Sequence, residues 1–151
     1  MFQSRPRVFA RVFLLLEKLG RRDDLVLGLL TGNYEFSGRM KLKACGVKNA
    51  AFTLGAFGED ASFPHPHRRN LPPVAQRRFE LSFGHAAENT IIIGDTPHDV
   101  DCAHAHGLPA LGVATGTASL EELKAAGADL AIEDLSDVNS VFDWIANASR
   151  R

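Results

Sequence analysis

The stretch from Thr90 to Gly107, TIIIGDTPHDVDCAHAHG, constrains this chain more than any other. Ile91 to Ile93 are consecutive β-branched residues between polar neighbours, the pattern of a strand buried on both faces, as in a parallel sheet covered by helices. Gly94 and Asp95 follow where that strand ends, and open α/β sheets bind ligands just outside the carboxyl ends of their strands. Thr96 can cap the next helix, so Asp95 has no capping duty, and burying it unpaired would be costly. Asp95 is therefore a candidate site acid. Pro97 falls at the first helical position and Asp99 three residues after Thr96, an arrangement that satisfies free N–H groups and suits the helix dipole. Gly107 closes the helix. Asp99 has two readings, a cap alone or a cap that also serves the site.

A second apolar run that ends abruptly lies upstream, LVLGLLTGN from Leu25 to Asn33. Thr31, Gly32 and Asn33 supply a hydroxyl, a flexible turn and an amide, which with backbone N–H groups can cradle a phosphate oxygen. Taken alone, an ordinary turn is the simpler reading. Ser37 is placed to cap a following helix that Gly46 ends, and this helix carries Lys41 and Lys43, either of which could neutralise phosphate charge.

Periodicity and punctuation predict one doubly wound α/β domain over residues 1–151. A first helix, Pro6 to Leu19, precedes strand 25–30, helix 37–45, strand 51–56, helix 71–83, strand 90–94, helix 97–106 and strand 110–114. Ser119 with Glu122 forms a capping box for a helix from Leu120 to Ala126. An edge strand at Leu130 to Ile132 and an amphipathic helix from Val138 to Ala146 complete the order. The proline-rich segment Gly58 to Pro73 reads as a surface loop.

Several function classes are disfavoured. No run approaches the roughly 18 to 20 apolar residues of a membrane span. Residues 1–90 carry 14 Lys and Arg against 8 Asp and Glu, and residues 91–151 carry 3 against 10. The basic N-terminal set lacks aromatic interleaving or a nucleic-acid motif. Cys45 and Cys102 have no metal-type spacing and suit a reduced, cytoplasmic setting. His65 and His67 have no third ligand nearby and make a poor zinc site. No Gly-x-Gly-x-x-Gly follows a predicted strand, which argues against a dinucleotide-binding domain.

The order strand-Thr, Lys, strand-Gly-Asp-x-x-x-Asp resembles the haloacid dehalogenase superfamily. LLTGN, GRMKLKACGV, GAFGED and IIIGDTPHDVDCAHAHG are similar to its phosphatase branch, which includes phosphoglycolate phosphatase-like enzymes. The resemblance spans about Leu25 to Asp137. It implies a Rossmann-like three-layer α/β/α core with a parallel sheet. It also implies that Thr31, with Gly32 and Asn33, binds the transferring phosphoryl group and that Lys41 stabilises it. Asp95 would bind Mg²⁺, Asp99 would support the metal shell, and the helix N-termini at these strand ends would help hold the phosphate. Many relatives place the lysine later, just before the helix that precedes the Gly-Asp strand, where this chain offers Arg68 and Arg69; Lys43 is the other substitute.

The chain departs from the superfamily in one respect that matters for chemistry. It lacks the Asp-x-Asp-Gly-Thr motif that carries the nucleophile on the central first strand, and its one Asp-x-Asp, Asp99 to Asp101, has no Gly-Thr after it. Thr31, Lys41 and Asp95 supply binding, charge and a metal ligand but no attacking group. The expectation is that this chain is the C-terminal part of a longer cytoplasmic phosphatase that hydrolyses a small phosphorylated metabolite through an aspartyl-phosphate, and that the chain as given turns nothing over. The alternative is a catalytically dead phosphate- or Mg²⁺-binding or scaffolding module, in which the strands ending at Thr31 and Asp95 would pair directly.

Overall fold

The computed structural model describes residues 6–61, 70–84, 86–87 and 89–148. The elements run α1 (Pro6–Gly20), β1 (Gly28–Leu30), α2 (Glu35–Ala44), β2 (Leu54–Ala56), α3 (Leu71–Phe83), β3 (Ile92–Gly94), α4 (Pro97–His104), β4 (Ala110–Val113), α5 (Leu120–Ala125), β5 (Leu130–Ile132) and α6 (Val138–Ala148), with short 3-10 turns at Asn49–Ala51 and Gly58–Asp60. They divide into two compact units, one of Met1–Arg21 with Asn89–Arg151, the other of Arg22–Glu88.

In the first unit β3, β4 and β5 form a parallel sheet in that order, with Ile93 opposite Leu111 and Leu111 opposite Leu130. All four residues of central β4 are buried, as a strand flanked on both sides and covered by helices must be. Helices α4 and α5 pack on this sheet, burying Val100, Ala103 and Leu123. Helix α1 packs against α6: Leu15 and Leu19 are buried from one, Val138, Val141 and Ile145 from the other. At the rim of that contact Lys18 Nζ lies 5.2 Å from the Phe142 ring centroid.

In the second unit β1 and β2 pair in parallel and α3 packs on both strands. Ala56, Phe57 and Leu71 are its most buried apolar residues. Helix α2 ends at the expected place. Gly46 takes φ 78°, and Val47 N–H returns to the Leu42 carbonyl at 2.9 Å, closing the last turn.

Two local expectations are corrected. The stretch Ile91 to Ile93 is not buried on both faces: Ile92 is 8% exposed and Ile93 46%. Strand β3 pairs with β4 on one side only among the described residues, and an edge strand keeps a face and a row of backbone groups open. Ser37 is not the cap of α2. The helix starts two residues earlier, and the Ser37 hydroxyl donates to the Tyr34 carbonyl at 3.0 Å from inside the first turn.

Candidate functional site

Two clusters carry the candidate chemistry, one in each unit. In the second, β1 delivers Thr31 to the end of its sheet, where Thr31 N–H donates to the Ala56 carbonyl at 3.1 Å. The Thr31 hydroxyl oxygen then accepts from Asn33 N–H at 3.1 Å and from Asn33 Nδ2 at 3.0 Å. With its oxygen accepting twice, the hydroxyl proton is left to donate outward. Lys41 reaches back along α2 to donate from Nζ to Asn33 Oδ1 at 2.8 Å. Thr31, Asn33 and Lys41 therefore form one network presenting a hydroxyl, amide protons and an ammonium, a donor set suited to phosphate oxygens. Gly32 is the exposed corner between them. Lys43 does not join this network. It lines a groove of about 520 Å³ with Phe36, Met40, Asn49 and the acids Glu35 and Glu59. Arg68 and Arg69, like His65 and His67, lie outside the described residues.

The turn after β2 closes against this network. Gly58 N–H donates to the Asn33 carbonyl at 2.8 Å. A Cβ on Gly58 would stand 2.3 Å from the Gly32 carbonyl oxygen, so only glycine allows this approach. Next to it the Glu59 carboxylate accepts from Glu35 N–H, at 2.9 and 3.1 Å to its two oxygens. Glu59 thus caps α2 from 24 positions away, the role that Ser37 was expected to fill. Asp60 is gripped by Arg78 in two parallel bonds of 2.7 Å. That hydrogen bond from Arg78 holds the Asp60 carboxyl below the usual carboxylate range, with burial opposing and the Phe57 N–H assisting.

In the other unit, Asp95 follows β3 and its side chain is exposed. Asp99 stands one turn into α4, and its Oδ2 accepts from Asp95 N–H at 3.1 Å, Thr96 N–H at 3.0 Å and the Thr96 hydroxyl at 2.8 Å. The capping reading of Asp99 is thus realised, and through it Asp99 holds the backbone of Asp95. Glu59 occupies the first N–H of α2 and Asp99 occupies those of Asp95 and Thr96 ahead of α4, an acid at each helix start that suits the dipole.

The donors at Asp95 fit a hard cation. A carboxylate is the ligand type Mg²⁺ takes, usually one or two from protein beside waters and substrate oxygens. The Asp95 carboxylate packs against Gly116, where a Cβ would lie 2.1 Å from Asp95 Oδ2, so glycine there lets the carboxylate keep this position. Among the described residues no group of three or more His, Cys, Asp and Glu side chains is gathered as an all-protein cage.

The geometry of Gly58, Glu59, Asp60, Arg78 and Gly116 escaped the sequence reading. The motif GAFGED held a signal, a glycine and two acids directly after a strand, but their partners lie 18 to 26 positions away.

A family model described as HAD-hydrolase-like matches residues 67–138. Pyrophosphatase PpaX of Oceanobacillus iheyensis is 24% identical over 133 residues, covering 88% of this chain and 59% of that protein. Among solved structures, a hydrolase from Pseudomonas syringae superposes with a TM-score of 0.69 at 24% identity, over 87% of this chain and 60% of that one. A haloacid dehalogenase-like family hydrolase from Streptococcus pneumoniae gives 0.68 at 21%, over 87% and 58%. The chain is thus similar to haloacid dehalogenase-like hydrolases and shares their fold. It spans about three fifths of the length of these relatives. Within that superfamily fold, the Thr31 turn follows β1 and Asp95 follows β3, at the carboxyl ends of parallel strands where α/β sheets place ligands. Among the described residues no helix is long and apolar enough to cross a membrane.

Proposed function

We propose that this chain is the phosphate-holding part of a Mg²⁺-dependent phosphomonoester hydrolase of the haloacid dehalogenase superfamily. In a longer protein an aspartate outside this chain would attack phosphorus and form an aspartyl-phosphate. The single observation that carries the reading is the Thr31–Asn33–Lys41 network, in which a hydroxyl and an amide of one turn are joined to an ammonium from α2.

In this reading the Thr31 hydroxyl donates to a phosphoryl oxygen, with its orientation set by the two bonds it accepts from Asn33. The Lys41 ammonium balances negative charge that moves onto the equatorial oxygens during transfer, and Asn33 holds it in place. Asp95 would hold Mg²⁺, with Asp99 fixing the backbone beneath it. When bound, the cation lowers repulsion between an attacking carboxylate and the phosphate dianion. The substrate class is a small phosphorylated metabolite, and the setting is the cytoplasm. The chain is read as one superfamily core domain that lacks the central first strand.

The inert-module alternative keeps one observation in its favour: the phosphate-cradling residues are present without an Asp-x-Asp-Gly-Thr. Both readings require the cradle to bind phosphate. Titration of the 151-residue chain with inorganic phosphate, followed by amide shifts, is expected to move Thr31, Gly32 and Asn33, and Thr31→Val is expected to abolish the response. Wild-type protein with no response would refute both. Turnover separates them in the longer protein, where Lys41→Met is expected to lower kcat by about a hundredfold.

A further inference from the structure

We infer that Arg78 is a positioning residue for the phosphate cradle, acting through Asp60 and the Phe57–Asp60 turn. The inference rests on the phosphate reading of Thr31, Asn33 and Lys41, and adds to it a residue on α3 that touches none of the three.

The chain of contacts is continuous within one unit. Arg78 donates from Nη1 to Asp60 Oδ2 and from Nη2 to Asp60 Oδ1, both at 2.7 Å. The same Nη1 donates to the Gly55 carbonyl at 2.6 Å, so the guanidinium is tied to the strand as well as to the turn. Asp60 Oδ2 in turn accepts Phe57 N–H at 2.9 Å, closing the turn onto its own start. The Phe57 ring is buried, and the Arg39 guanidinium lies 5.4 Å from its centroid. From this held turn two contacts reach the cradle: Gly58 N–H to the Asn33 carbonyl at 2.8 Å, and Glu59 to the first N–H of α2. Asn33 then sets both the Thr31 hydroxyl and the Lys41 ammonium.

Each link restrains the next. Asn33 is the hub of the donor set, and its carbonyl is fixed from outside the loop by Gly58 alone among the backbone bonds described. Gly58 sits where it does because the turn is clamped on its far side. A planar guanidinium can meet both carboxylate oxygens and a carbonyl at once, whereas an ammonium is a single point charge. Arg78→Lys therefore keeps the charge and loses the fork. The half-buried Asp60, with 16% of its side chain exposed, has little water to replace that partner.

Amide hydrogen exchange on the 151-residue chain tests the clamp. Arg78→Ala is expected to speed exchange at Phe57, Gly58 and Glu35 by about tenfold or more, the scale of losing a charge-assisted bond. The Val47 amide, bonded within the end of α2, is expected to keep its protection. Arg78→Lys is expected to fall between, and serves as the test if the alanine variant does not fold. In parallel, inorganic phosphate should bind about tenfold more weakly to Arg78→Ala than to wild type, with partial recovery in Arg78→Lys. Unchanged exchange at Gly58, or an equal rise at Val47, would overturn the positioning role, as would normal phosphate affinity in Arg78→Ala. Wild-type protein that binds no phosphate would instead overturn the phosphate reading and with it the purpose of the clamp. The exchange pattern would still decide whether Arg78 holds the turn.

Discussion

Replacing Asp99 by alanine tests the local logic around Asp95 most directly. The substitution removes the acceptor for three donors at once, at 3.1, 3.0 and 2.8 Å. Loss of a helix-capping side chain costs about 1 kcal/mol, within a range of roughly 0.5–2. Loss of negative charge in the first turn adds about 0.3–1 kcal/mol. Alanine is the better helix former by about 0.5 kcal/mol, which offsets part of this. Asp95 is exposed, so its freed N–H is taken up by water and adds little. The expected destabilisation is about 1.2 kcal/mol. Trp144, the only tryptophan of the chain, lies in α6 of the same unit and reports its unfolding by fluorescence. With a urea slope of about 1.5 kcal/mol/M, the midpoint should fall by about 1 M. Asp99→Asn keeps an acceptor but not the charge and should fall about half as far. A midpoint for Asp99→Ala within about 0.2 M of wild type would mean that the start of α4 is held without the acid.

Three further outcomes are expected. Leu111→Ala, at a position 1% exposed in central β4, should cost about 2–5 kcal/mol in urea unfolding followed by Trp144; a loss below 1 kcal/mol would mean that the site collapses around the gap. Gly116→Ala should leave stability within about 0.5 kcal/mol, because the Asp95 carboxylate can swing aside. Mg²⁺ titration followed by amide shifts near Asp95 should weaken in that variant, and an unaltered titration would reject the observed position of the Asp95 carboxylate as the one that holds the cation. The Asp60 carboxyl has a folded pKa below its unfolded value through the Arg78 hydrogen bond, so its contribution is full above about pH 4 and is lost as pH falls through the folded value. Thermal melts from pH 7 down to pH 2 should therefore show an acid-labile component that is reduced in Arg78→Met, and identical profiles would remove Asp60 as its source.

The sequence by itself determined the features whose physics is local. Helix α3 over Leu71–Phe83 and strand β5 over Leu130–Ile132 stand at the expected boundaries. The Thr96 and Asp99 pair starts α4, and the Ser119 and Glu122 pair starts α5, because a cap and its acceptor are three residues apart and need no distant partner. The parallel α/β fold was legible for a related reason, since apolar runs ending on Thr31 and Asp95 leave a pattern in residue type. Strand extents were decided by pairing: β1 is three residues long because that is the length over which β2 meets it, and the exposure of Ile93 was decided by packing, which leaves its side chain uncovered. The cap of α2 was decided by the same kind of distance. Ser37 has the right chemistry in the wrong place, and Glu59 arrives from across the β2 turn. Lys41 and Lys43 are equivalent in the sequence, two residues apart on one helix. Only folding shows that Lys41 meets Asn33 while Lys43 faces a groove, because side chains two apart on a helix point in different directions. Gly58, Asp60 and Arg78 carry no local signature, since their role is a close approach and a forked ion pair between segments that only the chain's path brings together.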